Sequence, residues 1–283
     1  MWPDGVEHWL HVREIDGVGQ VGEREDELVV AASTFKVAVA LAFFDLAAAG
    51  RLDKRERVTL PPGARTDGPS GVSILYDEVS LTLRDAAALM LTVSDNAATD
   101  AVLARVGVER VHERLRELGL VDTYLDGGCM QLMDAVALDL GFAEWEELLS
   151  AEGEISTEQL LASSTFDPAR TTRTTAREMT GLLSAIWRDE AGSPQACADV
   201  RRLLGLQVTR DRIASGFPPD VRVSAKSGSW LRVVRNEVGV AEYPDGRRYA
   251  IAIFTRAGLP AARRPDVDRA IGESAVHAVE SLR

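Results

Sequence analysis

Ser33 and Lys36 stand three residues apart, a spacing that puts a hydroxyl and an amine on one face only where a helix begins between them. A serine hydroxyl is a weak nucleophile until a base takes its proton, and an uncharged lysine amine within hydrogen-bond reach can be that base. Two further clusters carry compatible chemistry. Ser94-Asp95-Asn96 offers a hydroxyl that can relay a proton and an amide that can orient a neighbour. Lys226-Ser227-Gly228-Ser229 offers a point charge and hydroxyls for an anion. Each cluster alone has a plainer reading: Ser33 as a helix N-cap, Ser94-Asp95-Asn96 as a polar break between helices, Lys226 as an exposed strand end.

Composition bears on the choice. Among 32 Lys plus Arg, only Lys36, Lys54 and Lys226 are lysines, and Asn96 and Asn236 are the only asparagines. Arginine keeps its proton in any protein environment, whereas a desolvated lysine can lose one. A lysine kept against an arginine background therefore suits a position that needs a titrating amine or a compact charge.

The elements that must hold these residues are legible from pattern. Val37 to Ala49 is apolar on nearly every face and ends at Gly50, which predicts a central helix buried all round, with Ser33 and Lys36 at its start. Thr82 and Asp85 form a capping box for a helix over 86–93 that runs into Ser94. Helices over 97–106 and 109–118 end at Gly107 and Gly119, and further helices are expected over 176–188 and 196–206. Residues 51–70, rich in Pro and Gly, read as a connector, and 121–175 give only helical fragments near 130–140 and 145–149. Strand patterns occupy 9–15, a second run ending near Val30, 221–226, 237–243 and 249–254, with a closing amphipathic helix over 266–282. Gly17 to Gly22 matches GxGxxG, but no helix pattern follows it, so it reads as a hairpin turn rather than a dinucleotide loop. Strands at both ends and helices between them predict an α+β fold: a discontinuous sheet domain of residues 1–52 and 207–283, and a helical domain of 53–206.

Bulk properties exclude several classes. The 283 residues are 46% hydrophobic and 27% charged, as in a globular chain, and the longest apolar run is interrupted by Asp45 before it could span a bilayer. The first residues show no basic stretch, apolar stretch or cleavage site of a signal peptide, so a cytoplasmic location and no membrane partner are expected. A net charge of -12 argues against a nucleic-acid partner. Two cysteines and four scattered histidines give no metal-ligand spacing, so no metal or other cofactor is expected.

Ser-x-x-Lys, Ser-Asp-Asn and Lys-Ser-Gly occur here in that order, each in the context it requires: a helix start, a helix end and a strand end. From about Trp9 to Leu282 the chain thereby resembles the class A β-lactamase family of penicillin-recognising serine hydrolases, closest to its short intracellular members. The Ser94–Ala98 continuation into a helix and the threonine-rich stretch Arg173–Met179 add to the likeness. The resemblance implies an α/β sheet domain beside a helical domain with the active site in the cleft between them.

In that setting Ser33 attacks a carbonyl and Lys36 is its base, made neutral by burial and by the charge of Lys226. Ser94 passes the proton to the leaving nitrogen, and Asn96 orients Lys36 and a substrate amide. Lys226, Ser227 and Gly228 bind a substrate carboxylate, and the backbone N–H groups of Ser33 and Ser229 form the oxyanion hole, where one donor is worth about a hundredfold in rate. Arg232 and Arg235 follow as anion-binding candidates or as solvated loop charges. One departure matters. The glutamate of a Glu-x-x-Leu-Asn motif, which activates the deacylating water in efficient β-lactamases, has no match; Glu158, in Glu158-Gln-Leu-Leu-Ala162, is the nearest candidate base. The expected activity is hydrolysis of a small, carboxylate-bearing amide, ester or β-lactam through acyl-Ser33, with weak β-lactam deacylation. An acyltransferase or amide-forming enzyme, and a sensor that acylates without turnover, are the alternatives.

Overall fold

The computed structural model describes residues 2–151 and 155–283. Residues 152–154, within the stretch expected to be helical over 53–206, lie outside the described residues. In chain order the strands are β1 (Val6–Glu14), β2 (Gln20–Glu23), β3 (Val29–Val30), β4 (Arg57–Leu60), β5 (Val79–Thr82), β6 (Arg173–Thr174), β7 (Arg222–Trp230), β8 (Val234–Glu242) and β9 (Arg248–Ala257). The helices are α1 (Lys36–Ala48), α2 (Leu83–Thr92), α3 (Asn96–Val106), α4 (Val108–Glu117), α5 (Cys129–Asp139), α6 (Trp145–Ser150), α7 (Thr157–Leu161), α8 (Ala176–Trp187), α9 (Pro194–Leu204), α10 (Ile213–Gly216) and α11 (Pro265–Glu280).

An antiparallel sheet of order β2-β1-β9-β8-β7 joins the two ends of the chain. Its strands β8 and β9 are buried on both faces. Along β9, Tyr249, Ile251 and Ile253 face a core shared with α11, while Ala250, Ala252 and Phe254 face the core around α1. The alternation expected for β8 and β9 therefore separates two cores rather than core from solvent. Small residues on the α1 side leave room for α8, which packs on β9 and β1, and α1, in the same core, is buried at every position from Lys36 to Phe44. Asp45, the one break in that run, accepts from the Arg114 guanidinium and, at 3.0 Å, from Ser193 N–H.

Several expectations change. Residues 51–70 are not only a connector: β4 pairs with β5, with Val58 buried under the ribbon. The second run near the N-terminus splits, β2 pairing with β1 and β3 with β6. Gly17 to Gly22 spans the β1–β2 turn and part of β2, with no helix after it. Strand β7 continues past Lys226 to Trp230, and α7 and α10 are short helices that no periodicity marked. Thr82 caps α2 by accepting from Asp85 N–H, as the capping box predicts. Among the described residues no helix is long and apolar enough to cross a membrane.

Beneath the β1–α8 contact lies His11, whose Nδ1 is 2.6 Å from Thr180 Oγ1. Burial, aided by the Arg177 charge, pushes its pKa down to about 4. The unfolded chain binds this proton near 6.5 and the folded one only near 4, so His11 destabilises the fold progressively as pH falls from about 6.5 toward 4. Urea midpoints at pH 7.5 and 5 are expected to differ more for the wild type than for His11→Gln; equal drops would remove His11 from the acid response.

Candidate active site

Ser33 lies in a single 3-10 turn, Ala32–Phe35, that leads into α1, and no side chain caps it. Ala32 adopts φ +45°, a left-handed conformation that costs an alanine on the order of 1–2 kcal/mol. Neighbouring bonds hold the turn in place. Asn236 Nδ2 donates to Val30 O at 2.9 Å and Ala31 O at 3.3 Å, and Thr34 Oγ1 donates to Ala31 O at 2.8 Å. Strand β7 presses against it: a Cβ on Gly228 would stand 3.1 Å from Ser33 N and 3.2 Å from Ala31 O. A side chain there would force the half-buried Ser33 turn to give by a few tenths of an ångström, which glycine avoids.

One turn on, Lys36 is fully buried, and its Nζ donates to Ser94 O at 2.8 Å, Asn96 Oδ1 at 2.9 Å and Ser94 Oγ at 3.4 Å. The Ser94–Asn96 segment is shaped for this. Ser94 has φ +60°, and buried Asp95 caps α3 through Ala98 N–H at 3.1 Å while accepting from Val72 N–H at 2.6 Å and Ser73 Oγ at 3.2 Å. Asn96 Nδ2 donates to Asp67 O at 2.9 Å, and Asp67 Oδ2 accepts from Trp145 Nε1 at 3.0 Å. The first two motifs thus share one lysine amine.

Lys226 is not an exposed strand end. It has no accessible surface, donates to Ser227 O at 2.7 Å, and is held well below the ordinary lysine pKa by burial first and by the Lys36 charge second. Behind β7 lies a network that no motif announced. Arg212 is buried and donates to Gly228 O at 3.0 Å, Asn236 O at 2.6 Å, Ser229 Oγ at 2.8 Å and Asp268 Oδ1 at 2.9 Å. Glu237, its pKa raised by burial, accepts from Gln207 Nε2 at 3.0 Å and Ile213 N–H at 2.7 Å, and Gln207 Oε1 accepts from Ser227 N–H. Arg235 forks onto Asp268 at 2.9 and 2.6 Å, so its guanidinium is committed to a buried carboxylate rather than to solvent.

Two candidates stand elsewhere. Arg232 is exposed in the β7–β8 turn with φ +63°. Glu158 is exposed on α7, a helix capped by Ser156 and Gln159, and no described hydrogen bond joins it to Ser33, Lys36 or Ser94. The side chain from this part of the chain that does reach Lys36 is Cys129, at the start of α5. Its thiol is buried beside the Lys36 charge, and burial pushes its pKa up to about 11. Its backbone N–H and that of Met130 are fixed by Asp100 at 2.7 and 2.9 Å. Cys129 lies outside every cysteine motif and so gave no sequence signal. Among the described residues no three His, Cys, Asp or Glu side chains gather as a metal site.

Ser33 thus stands one turn before a buried lysine amine that bonds Ser94 and Asn96, and a second buried lysine lies in the strand that presses on its turn. The model of the β-lactamase enzyme family matches residues 4–281, and the chain belongs to that family. A relative from Streptomyces cacaoi, the β-lactamase regulatory protein BlaB, is 27% identical over 96% of this chain and 91% of its own length. The fold is similar to that of a β-lactamase from Sphaerobacter thermophilus (23% identity, TM-score 0.78, covering 98% and 92% of the two chains). It is also similar to the L158E mutant of PBP-A in its acyl-enzyme complex with penicillin G (20% identity, TM-score 0.76, covering 99% and 92%).

Arg212→Met leaves two strand carbonyls without their donor and takes one of two cations from Asp268, and is expected to cost on the order of 3 kcal/mol in denaturant unfolding. Arg212→Lys recovers little of this, because one ammonium cannot reach four acceptors. A stability change below about 0.5 kcal/mol for Arg212→Met would contradict the network's role.

Proposed function

We propose that this protein is a serine acyl-hydrolase of the β-lactamase type that forms an acyl-Ser33 intermediate readily and releases it slowly. The observation that carries the reading is the position of the Lys36 amine, shared between Ser94 and Asn96 one turn from Ser33. Lys36 takes the Ser33 proton as Oγ attacks the carbonyl, Ser94 returns a proton to the leaving nitrogen, and Asn96 orients the amine. The N–H groups of Ser33 and Ser229 receive the developing oxyanion, and Lys226, Ser227 and Gly228 bind a substrate carboxylate. The sheet domain (1–52 and 207–283) and the helical domain (53–206) supply the two walls of this cleft. The substrate is a small amide, ester or β-lactam that bears a carboxylate.

Slow release follows from what stands beside Lys36. Its described hydrogen-bond partners include no carboxylate, and the nearby Cys129 thiol stays protonated near neutral pH, so it cannot draw a proton from water. A sensor that acylates without turnover is the second reading, favoured by the similarity to a protein named a β-lactamase regulatory protein. The two readings share acylation and differ in the fate of the adduct.

Intact-mass kinetics with penicillin G and a fluorophosphonate test the assignments. Ser33→Ala is expected to abolish labelling, and Lys36→Arg, which keeps charge but cannot lose a proton, to slow acylation at least a hundredfold. Cys129→Glu places a base beside the site and is expected to shorten the adduct lifetime tenfold or more, while Cys129→Ser leaves it within threefold of wild type. Unchanged acylation by Lys36→Arg, or labelling that survives Ser33→Ala, would refute the reading.

A further inference from the structure

A cleft of about 490 Å³ opens where α8 and α9 end beside Arg222 of β7, Glu242 of β8 and Arg248 of β9. Its volume lies within the range of small-molecule pockets. Four arginines line it, Arg201, Arg202, Arg222 and Arg248, against two carboxylates, Asp189 and Glu242. Positive charge is therefore in local excess, in a chain whose net charge is -12.

Two of these arginines are committed to the fold. Arg201 donates to Ile186 O and to Asp189 at 2.7 Å, and Arg248 donates to Trp187 O at 3.1 Å and to Asp16 at 2.6 Å, so both close the end of α8. The other two retain donors. Arg222 forks onto Glu242 through Nε and Nη2, which leaves Nη1 without a described partner on a side chain 75% exposed. Arg202 is exposed and has no described hydrogen bond or ion pair.

Two neutral donors stand in the same lining. Ser224 is 3% exposed, and no described hydrogen bond joins its Oγ. A Cβ on Gly205, which also lines the cleft, would stand 3.3 Å from that oxygen, so the hydroxyl faces the glycine wall. Trp187 is 4% exposed, and its Nε1 is a buried donor without a partner. A buried donor that lacks an acceptor is costly, and a ligand oxygen offsets that cost. Ser224 and Lys226 lie on one face of β7, about 7 Å apart along the strand, and Gln207, just past α9, accepts from Ser227 N–H. The cleft thus adjoins the candidate active site along β7 but shares none of its residues.

We propose that this cleft is a second binding site, for a small phosphate monoester. Arg202, Arg222 and the Ser224 hydroxyl hold the phosphate, and the organic group lies against Leu206, a lining residue that is 55% exposed. The guanidinium fork matches phosphate oxygens in pairs, and a phosphate monoester carries nearly two negative charges at neutral pH. The site does not depend on the acyl-Ser33 reading.

Isothermal titration at pH 7.5 and fixed ionic strength, with phenyl phosphate, phenyl sulfate and inorganic phosphate, tests this. Phenyl phosphate is expected to bind at about one equivalent. It is expected to bind at least about fivefold tighter than phenyl sulfate, which has the same shape and one charge, and than inorganic phosphate, which lacks the ring. Arg202→Ala combined with Arg222→Ala is expected to weaken binding about tenfold or more. Leu206→Glu, which keeps both arginines and sets a like charge beside the ligand, is expected to do the same. Arg51→Ala combined with Arg116→Ala, two exposed arginines elsewhere, leaves the affinity within about threefold, as does Ser227→Ala. No saturable binding, equal affinity for the phosphate and the sulfate, or binding that survives both the arginine pair and Leu206→Glu overturns the proposal. Binding lost in Ser227→Ala places the anion at Lys226 instead and overturns it equally.

Discussion

Two lysine side chains without accessible surface, Lys36 and Lys226, set the terms for the rest of the molecule. Each ammonium taken out of water costs several kcal/mol unless the surroundings offset it. The fold meets this in two ways. Lys36 is wrapped by three oxygens from the Ser94–Asn96 turn, which needs a left-handed Ser94 and a capped α3 to present them. Lys226 has one close acceptor, Ser227 O, and is held well below its ordinary pKa, with Glu237 the nearby charge that opposes the shift.

The cost is carried by the elements around the site. The sheet joins both chain ends so that β7 can run beside the 3-10 turn of Ser33, and α1 is buried from Lys36 to Phe44 because α2, α3, α4 and α9 pack around it. Gly228 permits the close approach, and Asn236, on the adjacent strand in register with Gly228, ties down the backbone just before Ser33. Arg212 then fastens β7, β8 and α11 together from behind through Gly228, Asn236 and Asp268. Reactive geometry at Ser33 is in this sense a property of the sheet edge more than of the helix that follows it.

What was legible in the sequence divides along the same line. Ser33, Lys36, Ser94, Asn96 and Lys226 announce themselves because each sits at an element end that local pattern marks, and because lysine and asparagine are rare in this chain. The helices and the long strands were legible for the same local reason. Arg212, Glu237, Asn236 and Cys129 were not, since strand register and helix docking bring them to the site, and these depend on pairings far beyond any local pattern, from 24 residues apart for Arg212 and Asn236 to 206 for Asn236 and Val30. The β4–β5 ribbon was hidden by the Pro- and Gly-rich composition around it, although Arg57-Val-Thr-Leu60 alternates correctly. Glu158 was chosen by resemblance to a motif string, and it lies exposed on a helix of its own.

The central claim is that this site is built to make an ester with Ser33 and that no described hydrogen-bond partner of Lys36 is a carboxylate that could help clear it. Its most direct test is the time course of the wild-type mass after mixing with a slight excess of penicillin G, followed by peptide mapping. The account predicts a single adduct that reaches about one equivalent, maps to the peptide containing Ser33, and outlasts the excess reagent by many times the time needed to form it. Rapid consumption of the reagent with no adduct accumulating, or an adduct on any other residue, would contradict it.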